Sequence, residues 1–530
     1  MKPTLTAWRS RAKAVVATVG MIAAMAIAAP AAHADASDPS GPPTLTNGFG
    51  LTQVNDPSLQ NNPYIPAATA TDFTVTVTTP DVANDTGTVG HHIRIVLPSG
   101  YYSDPTAHYP VLYLLNGSPG DPCDYFAPAY FPKLNALAHD SGMIIVMPDG
   151  GARGWYSNWA NQTTAAGAQD WASFEVDQVV PFIDANLRTL PDKADRAIAG
   201  ISMGGFGALH LAQDYPGTFS QVASLSGDVD MGEDAMDLRL AVVASLTDAT
   251  GVIDDASAAS GSNSAGSTYW SACRAPGDPD GPAVTSDALF GSPYPLSWTP
   301  PYNDSLWNAA DPVENAAAFA GMNVSIYTGN GGGDPTNPEF WLESAAQHLN
   351  SALTAAGNTP YFVDYGNGSG WGCDGGHDSG CWDQDLANLL PRLQRIFQNT
   401  GGTAQVTGYQ GLCLDVRGGA VAPGTAVQVH GCNDSSAQSW TVGTGNTVRA
   451  YGECLDVVGG GTSDGTGADL DTCTATGAQQ WIPQADGALL NPQSGKCLDD
   501  SSRGGAGTQV QIRDCTGAAN QDWVLASLTA

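Results

Sequence analysis

Short apolar runs recur through the middle of the chain, at 110–115, 143–147, 197–201, 222–227 and 323–327. Such runs, mostly apolar or small throughout, predict strands buried on both faces of a parallel sheet. The stretches between them read differently. In 170–187, Val176, Val179, Val180 and Ile183 recur at three- and four-residue spacing, which predicts a helix with one buried face. Helices are also predicted over 131–139, 206–214, 339–356 and 383–397, and further strands over 73–77, 92–97 and 361–365. Strands alternating with amphipathic helices define an α/β domain with a mostly parallel sheet and helices on both faces. Ligands meet such a sheet at the carboxyl ends of its strands, where Asn116, Asp149 and Ser202 stand. Two stretches interrupt the pattern. Residues 35–70, rich in Pro, Asn, Ser and Gly, read as an extended lead-in. Residues 228–301 read as an insertion, either a lid over the site or a surface loop.

Ser202 follows the 197–201 run directly, lies between Gly200 and Gly204, and precedes the 206–214 helix. Strand, serine and helix in that order are the setting of a Gly-x-Ser-x-Gly nucleophile elbow. The turn is too tight for a Cβ at either glycine. It lifts the Ser202 hydroxyl off the sheet and aims the Met203 N–H, at the head of the helix, at a developing oxyanion. In the α/β-hydrolase fold that carries this elbow, the acid and then the histidine follow the nucleophile. His210, His348, His377 and His430 do so. His210 lies about two turns along the helix after the elbow and points away. His348 is mid-helix, and His430 falls in the C-terminal region. His377, in a loop after the last strand of the sheet, is the predicted base. Asp334, Glu339 and Glu343 all follow the 323–327 strand; a short loop favours Asp334 and a helix-borne acid favours Glu343. His91 and His92 have no third ligand at metal spacing and read as structural, so neither metal nor cofactor is expected.

Composition narrows the setting. Asp and Glu number 52 against 19 Lys and Arg, a formal net charge of −33. So acidic a surface repels nucleic acid and anionic lipid, and neither is an expected partner. Residues 1–34 carry Lys2, Arg9, Arg11 and Lys13, then the apolar run 14–29, then Ala32-His33-Ala34, the pattern of a secretory signal. No other segment reads as a membrane span. All ten cysteines lie beyond this signal, an even number in an exported chain, so disulfides are expected. The reading is of an extracellular monomer.

Several motifs outside the elbow share a pattern. They are Tyr113-Leu114-Leu115-Asn116-Gly117, Met147-Pro148-Asp149-Gly150-Gly151 with Tyr156-Ser157-Asn158-Trp159, Trp307 with Asp311-Pro312, Gly329-Asn330-Gly331, and Phe340-Trp341-Leu342-Glu343. Together with Gly200-Ile201-Ser202-Met203 they make residues from about 70 to 398 resemble the esterase D-like branch of the α/β-hydrolases, most of all the secreted antigen eighty-five mycolyltransferases. The resemblance implies a Ser202–His377–Glu343 triad and an oxyanion hole formed by the N–H groups of Met203 and Ser118. It implies substrate contacts at Asn116 and Trp159. Asn116 stands where that family has a trehalose-binding aspartate, so acyl-ester chemistry carries over and the mycolyl-to-trehalose reaction does not follow.

From about Ala404 the composition shifts to Gly, Thr and Gln, and one unit recurs three times. Cys413-Leu414-Asp415, Cys454-Leu455-Asp456 and Cys497-Leu498-Asp499 open the units. Gln-x-Trp closes them at Trp440, Trp481 and Trp523, 41 and 42 residues apart. Three such units close one core together. The segment closely resembles a ricin B-type β-trefoil lectin, an all-β domain. The resemblance implies sugar contacts at Asp415, Gln428, His430 and Gln438 in the first unit, and at Asp499, Gln511, Asn520 and Gln521 in the third. In the second, Asp456, Asp469, Asp471 and Gln479 make a poor sugar site. Disulfides Cys413–Cys432, Cys454–Cys473 and Cys497–Cys515 fall within the repeats. Of the four remaining cysteines, Cys373 and Cys381 make a short link bracing the His377 loop, which leaves Cys123 and Cys273.

The expected organisation is a signal at 1–34, a lead-in at 35–70, an α/β-hydrolase domain at 71–399 and a β-trefoil at 404–527. The function it implies is that of a serine esterase acting on acyl esters, carried to polysaccharide by a lectin module. The alternatives are an acyltransferase with a sugar or glycerol acceptor, and a carbohydrate-binding protein with a silent hydrolase fold.

Overall fold

The structure is a computed structural model. It describes residues 39–525 except 60–64, 66, 85–88, 119–121, 127–129, 233–235, 247–281, 292–303, 359, 398–404, 421, 434, 444–445, 452 and 475. The segment read as a secretory signal, most of the stretch read as an insertion, and Cys273 lie outside the described residues. The chain forms two units: Met1–Phe319 with Ser325–Ala356 and Phe362–Ala387, and Ala320–Val324 with Gly357–Tyr361 and Asn388–Ala530.

The first unit is built on nine strands: β1 (Thr52–Val54), β2 (Asp72–Thr78), β3 (His91–Val96), β4 (Val111–Leu115), β5 (Ile144–Pro148), β6 (Arg196–Ile201), β7 (Gln221–Leu225), β8 (Asn323–Gly329) and β9 (Tyr361–Gly366). Their order across the sheet is β1-β2-β3-β5-β4-β6-β7-β8-β9. The first three and the β3/β5 pair run antiparallel; β5, β4, β6 and β7 run parallel. Every residue of β4, β5, β6 and β7 is buried, as strands of mostly apolar or small residues at the centre of a sheet are. The helices are α1 (Pro132–Leu137), α2 (Val180–Asn186), α3 (Met203–Asp214), α4 (Met236–Leu246), α5 (Ser305–Ala310), α6 (Glu339–Ala355) and α7 (Ser379–Phe397).

Two local features depart from the periodicity. The lead-in is not wholly irregular, because Thr52–Val54 adds an edge strand to β2. The helix expected over 170–187 contains a π-helical turn at Phe174–Val179 just before α2. Pro181 stands at the head of α2; it has no N–H for the carbonyl of Asp177, and its ring crowds that carbonyl, so the wider turn relieves both. His91 and His92 do not share a ligand: His91 Nδ1 lies 3.1 Å from Asp149 Oδ2 and His92 Nε2 2.7 Å from Asp56 Oδ2.

The second unit repeats one hairpin three times. Leu412–Val416 pairs with Thr425–Gly431, Glu453–Val457 with Ala468–Asp471, and Lys496–Asp499 with Gln511–Arg513, all antiparallel. Leu414, Leu455 and Leu498 meet Trp440, Trp481 and Trp523 in one core. Each indole N–H donates to the carbonyl of the leucine in its own repeat, at 2.9 Å in all three. A buried indole thus finds its partner while its rings fill the shared core. The disulfides Cys413–Cys432, Cys454–Cys473 and Cys497–Cys515 close the repeats, and Cys373–Cys381 closes a loop of the first unit. Among the described residues no helix is long and apolar enough to cross a membrane.

The repeats differ in what faces the aspartate of each opening motif across the hairpin. Asp415 faces Gln428 and Asp499 faces Gln511, but Asp456 faces Asp469. Burial, with Asp456 and Asp471 nearby, pushes the Asp469 carboxyl up to about 6, and burial raises Asp456 as well. A carboxyl raised in the folded state favours folding when protonated. Its contribution is full below the unfolded value, near pH 4, and is lost as pH rises through about 6. Asp469→Gln, which recreates the pair of the other repeats, is therefore expected to raise the trefoil's melting temperature at pH 8 and to give little or no gain at pH 4. Scanning calorimetry at the two pH values checks this; an equal gain at both would show that the carboxylate pair is not the cause.

Candidate active site

The elbow is formed as the motif requires. Ser202 takes a positive φ of 52°, strained for a residue with a Cβ, between the end of β6 and the head of α3. Its N–H donates to the Leu225 carbonyl of neighbouring β7 at 2.9 Å. A Cβ on Gly200 would strike the backbone of Gly204, and one on Gly204 the carbonyl of Leu115, so both glycines are sterically required. Gly117 presses on the other side, where an added Cβ would lie 3.2 Å from the Ser202 Cβ. The neighbouring Ser118 is anchored by its hydroxyl, which donates to the Ala152 carbonyl at 2.5 Å. Met203 is the first residue of α3, and its N–H has no carbonyl within the helix to meet.

His377 Nε2 lies 2.9 Å from Ser202 Oγ, and its Nδ1 lies 2.8 Å from Glu339 Oε2. The acid on the imidazole is therefore Glu339, the first residue of α6. Glu343, the acid implied by resemblance, lies one turn further along, about 6 Å down the helix axis. Burial raises the Glu343 carboxyl, with Asp364 and Glu339 adding to the rise. Asp334 is spent locally: its Oδ1 accepts from the Thr336 N–H and hydroxyl at 2.9 and 2.8 Å.

Glu339 is 0% exposed, yet its Oε1 accepts three hydrogen bonds, from Ser226 Oγ at 2.8 Å, Thr328 Oγ1 at 3.2 Å and the Gly329 N–H at 2.8 Å. These donors satisfy the buried carboxylate at the head of α6. Ser226 and Thr328 carry no motif; the signal that could have chosen Glu339 was its place at the very start of the predicted helix, nearest the strand end. The His377 loop is docked on β8, with Gly331 N–H donating to the Gly375 carbonyl at 2.8 Å, and the Cys373–Cys381 bridge spans it. Trp382 sets its ring edge-on to the imidazole, centroids 4.9 Å apart.

Asn116 and Trp159 are not presented to a substrate. They are 2% and 3% exposed. The Asn116 carboxamide oxygen accepts from the Gly150 N–H and the Tyr156 hydroxyl, at 3.2 and 3.1 Å. The Trp159 indole donates to the Gly154 carbonyl at 3.2 Å. Both tie the 149–159 loop beneath the site; a loop packed against strand ends must satisfy its backbone internally, and these side chains do so.

In the trefoil, Asp415 accepts from Gln428 and Gln438 at 2.8 and 3.1 Å. Asp499 accepts from Gln511, Asn520 and Gln521 at 3.3, 2.8 and 3.0 Å. Gln438 and Gln521 are buried, and each also accepts a backbone N–H, from Asn433 and Thr516. They orient the aspartate rather than face solvent. Arg417, not foreseen, donates to Gln428 at 2.9 Å, and His430 is exposed beside it. Ala437 occupies the position of Asn520, so the third repeat holds its aspartate with one more donor than the first.

A nucleophile elbow at the end of a strand within a parallel array, with serine, histidine and carboxylate in line, is the arrangement of the α/β-hydrolase class. Residues 90–393 match the family described as "Putative esterase", more than half of the chain, and the chain belongs to that family. Residues 402–523 match the ricin-type beta-trefoil lectin domain. Esterase Rv1288 of Mycobacterium tuberculosis is 40% identical over 142 residues, 27% of this chain and 30% of that protein. The chain thus spans about 30% of that relative's length. The diacylglycerol acyltransferase/mycolyltransferase Ag85A of Mycobacterium leprae is 26% identical over 329 residues, 59% of this chain and 82% of that protein. Among solved structures, Mycobacterium tuberculosis MPT51 aligns over 60% of this chain and 97% of its own, at 17% identity and a TM-score of 0.42. The chain thus joins a domain of this esterase family to a ricin-type trefoil domain.

Proposed function

We propose that the protein is an exported serine esterase that cleaves acyl esters on carbohydrate through an acyl-enzyme on Ser202, with the trefoil holding it to polysaccharide. The observation that carries the reading is the unbroken chain Ser202 Oγ–His377–Glu339, 2.9 and 2.8 Å link by link. His377 Nε2 takes the Ser202 proton as Oγ attacks the ester carbonyl. Glu339 fixes the tautomer that leaves Nε2 free to accept and stabilises the imidazolium that forms. The N–H groups of Met203 and Ser118 receive the oxyanion. His377 then returns its proton to the leaving alcohol, and water enters by the same route to release the acid. The four described disulfides suit an oxidising, extracellular setting.

Transfer of the acyl group to a sugar or glycerol hydroxyl is the second reading, favoured by the likeness to Ag85A. It differs only in what deacylates Ser202. Assays with p-nitrophenyl, feruloyl and acetyl-xylan esters, with and without sugar acceptors, separate the two: hydrolysis predicts free acid whatever acceptor is present, and transfer predicts acyl-sugar or acyl-glycerol instead.

Asp415→Ala combined with Asp499→Ala removes the acceptor around which each trefoil site is organised. The doubly substituted full chain is expected to lose retention on insoluble polysaccharide while hydrolysing a small soluble ester at the wild-type rate. A pull-down followed by assay of the supernatant measures both; undiminished retention contradicts the role given to the trefoil.

A further inference from the structure

We propose that Arg153 is a positioning residue for the oxyanion hole, acting through the hydroxyl of Ser118; the proposal rests on the oxyanion role given above to the Ser118 N–H. Ser118 follows Gly117, which presses on Ser202, and its hydroxyl donates to the carbonyl of buried Ala152 at 2.5 Å. That carbonyl belongs to the peptide unit Ala152 shares with Arg153. The unit is a rigid plane, so whatever fixes Arg153 fixes the acceptor of Ser118. Arg153 is buried and held at both arms of its guanidinium. Nη1 donates to the Leu246 carbonyl, at the end of α4, at 3.1 Å, and Nη2 donates to the Pro282 carbonyl. A planar fork held at both arms has little freedom to swing.

The rest of the loop after β5 is fixed in the same way, so it cannot take up slack. Trp155 and Tyr156 both have a positive φ, 52° and 48°, which residues with a Cβ keep only when their surroundings hold them there. The Trp155 indole donates to Ser245 Oγ of α4 at 3.0 Å, and its ring meets Phe206, in the first turn of α3, with centroids 5.9 Å apart. The Tyr156 hydroxyl is spent on Asn116, two residues before Ser118. Further on, the N–H groups of Ala160 and Asn161 donate to the carbonyls of Leu289 and Ala288 at 2.9 and 3.0 Å. One side of the loop thus holds Asn116 and Ser118, and the other is fastened to α4 and to residues 282–289. An oxyanion donor works only if its N–H is already aimed where the charge develops. The Met203 N–H is aimed by α3. Ser118 has no helix to aim it, and its hydroxyl tether to the Arg153 peptide does that instead.

The test is a double-substitution cycle on the full chain: Ser118→Ala, Arg153→Met and the two together. The substrate is p-nitrophenyl acetate, and phenylboronic acid serves as a mimic of the tetrahedral intermediate. Each single substitution is expected to lower kcat by about ten- to a hundredfold, the scale of a displaced rather than a deleted donor. KM should stay within about twofold of the wild type, while the boronic acid binds more weakly in step with kcat. The double variant should be little slower than the slower single one, because Arg153 acts through the Ser118 hydroxyl. Ser118→Thr, which keeps that hydroxyl, should retain most of the wild-type kcat. Should Arg153→Met not fold, Arg153→Lys, which keeps the charge without the fork, is put through the same cycle. Losses that add in the double variant overturn the proposal. So does a folded Arg153 variant with a lower melting temperature but an unchanged kcat, or one in which KM rises alone. Failure of the triad reading shows separately, as activity that survives Ser202→Ala.

Discussion

Ser202→Ala is expected to turn over a soluble ester about a million-fold more slowly than the wild type, the scale of losing a serine nucleophile from a triad that works as a unit. The alanine keeps the Cβ and so the strained φ of 52°, and β6, α3 and both elbow glycines are untouched. The variant should therefore fold, with the melting temperature of the wild type to within a few degrees, and bind polysaccharide as before. Steady-state turnover of p-nitrophenyl acetate together with circular dichroism measures both. Turnover within about tenfold of the wild type would leave Ser202 with no covalent role.

Glu339→Gln is the second large effect, with an expected loss of about four orders of magnitude. The argument is one of donors and acceptors. Ser226 Oγ, Thr328 Oγ1 and the Gly329 N–H all donate to Glu339 Oε1. A glutamine must turn its carbonyl oxygen toward them, which leaves its NH2 facing His377 Nδ1. That nitrogen must then accept, so the ring proton moves to Nε2, and Nε2 can no longer take the proton of Ser202. Glu343→Gln changes a side chain one helical turn away and is expected to slow the enzyme by no more than a few-fold. Single-turnover acylation of both variants decides between them; the reverse ranking would return the role to Glu343.

Most of the fold was legible because its signals are local. The fully apolar runs at 110–115, 143–147 and 197–201 became strands buried on both faces, and Gly200-x-Ser202-x-Gly204 became the elbow its neighbours demand. The repeat of Cys-Leu-Asp and Gln-x-Trp named the trefoil because each leucine and tryptophan meets its own partner. The base was legible because only His377 follows the last strand of the sheet in a loop. The acid was not, since Asp334, Glu339 and Glu343 all follow β8 closely and only the start of α6, set by tertiary packing, selects among them. Asn116 and Trp159 misled for a related reason. A polar or aromatic residue at a strand end reads the same whether it faces substrate or satisfies a loop from inside, and here both are inside.

The most direct test of the account is covalent trapping. The full chain is incubated with diethyl p-nitrophenyl phosphate, which phosphorylates an activated serine and releases p-nitrophenol, and the labelled protein is digested and mapped by mass spectrometry. The account predicts one diethylphosphoryl group per chain, on the peptide carrying Ser202, loss of esterase activity in step with labelling, no label in Ser202→Ala, and much slower labelling in Glu339→Gln. A label on any other residue, or full esterase activity in protein whose Ser202 is completely labelled, would contradict it.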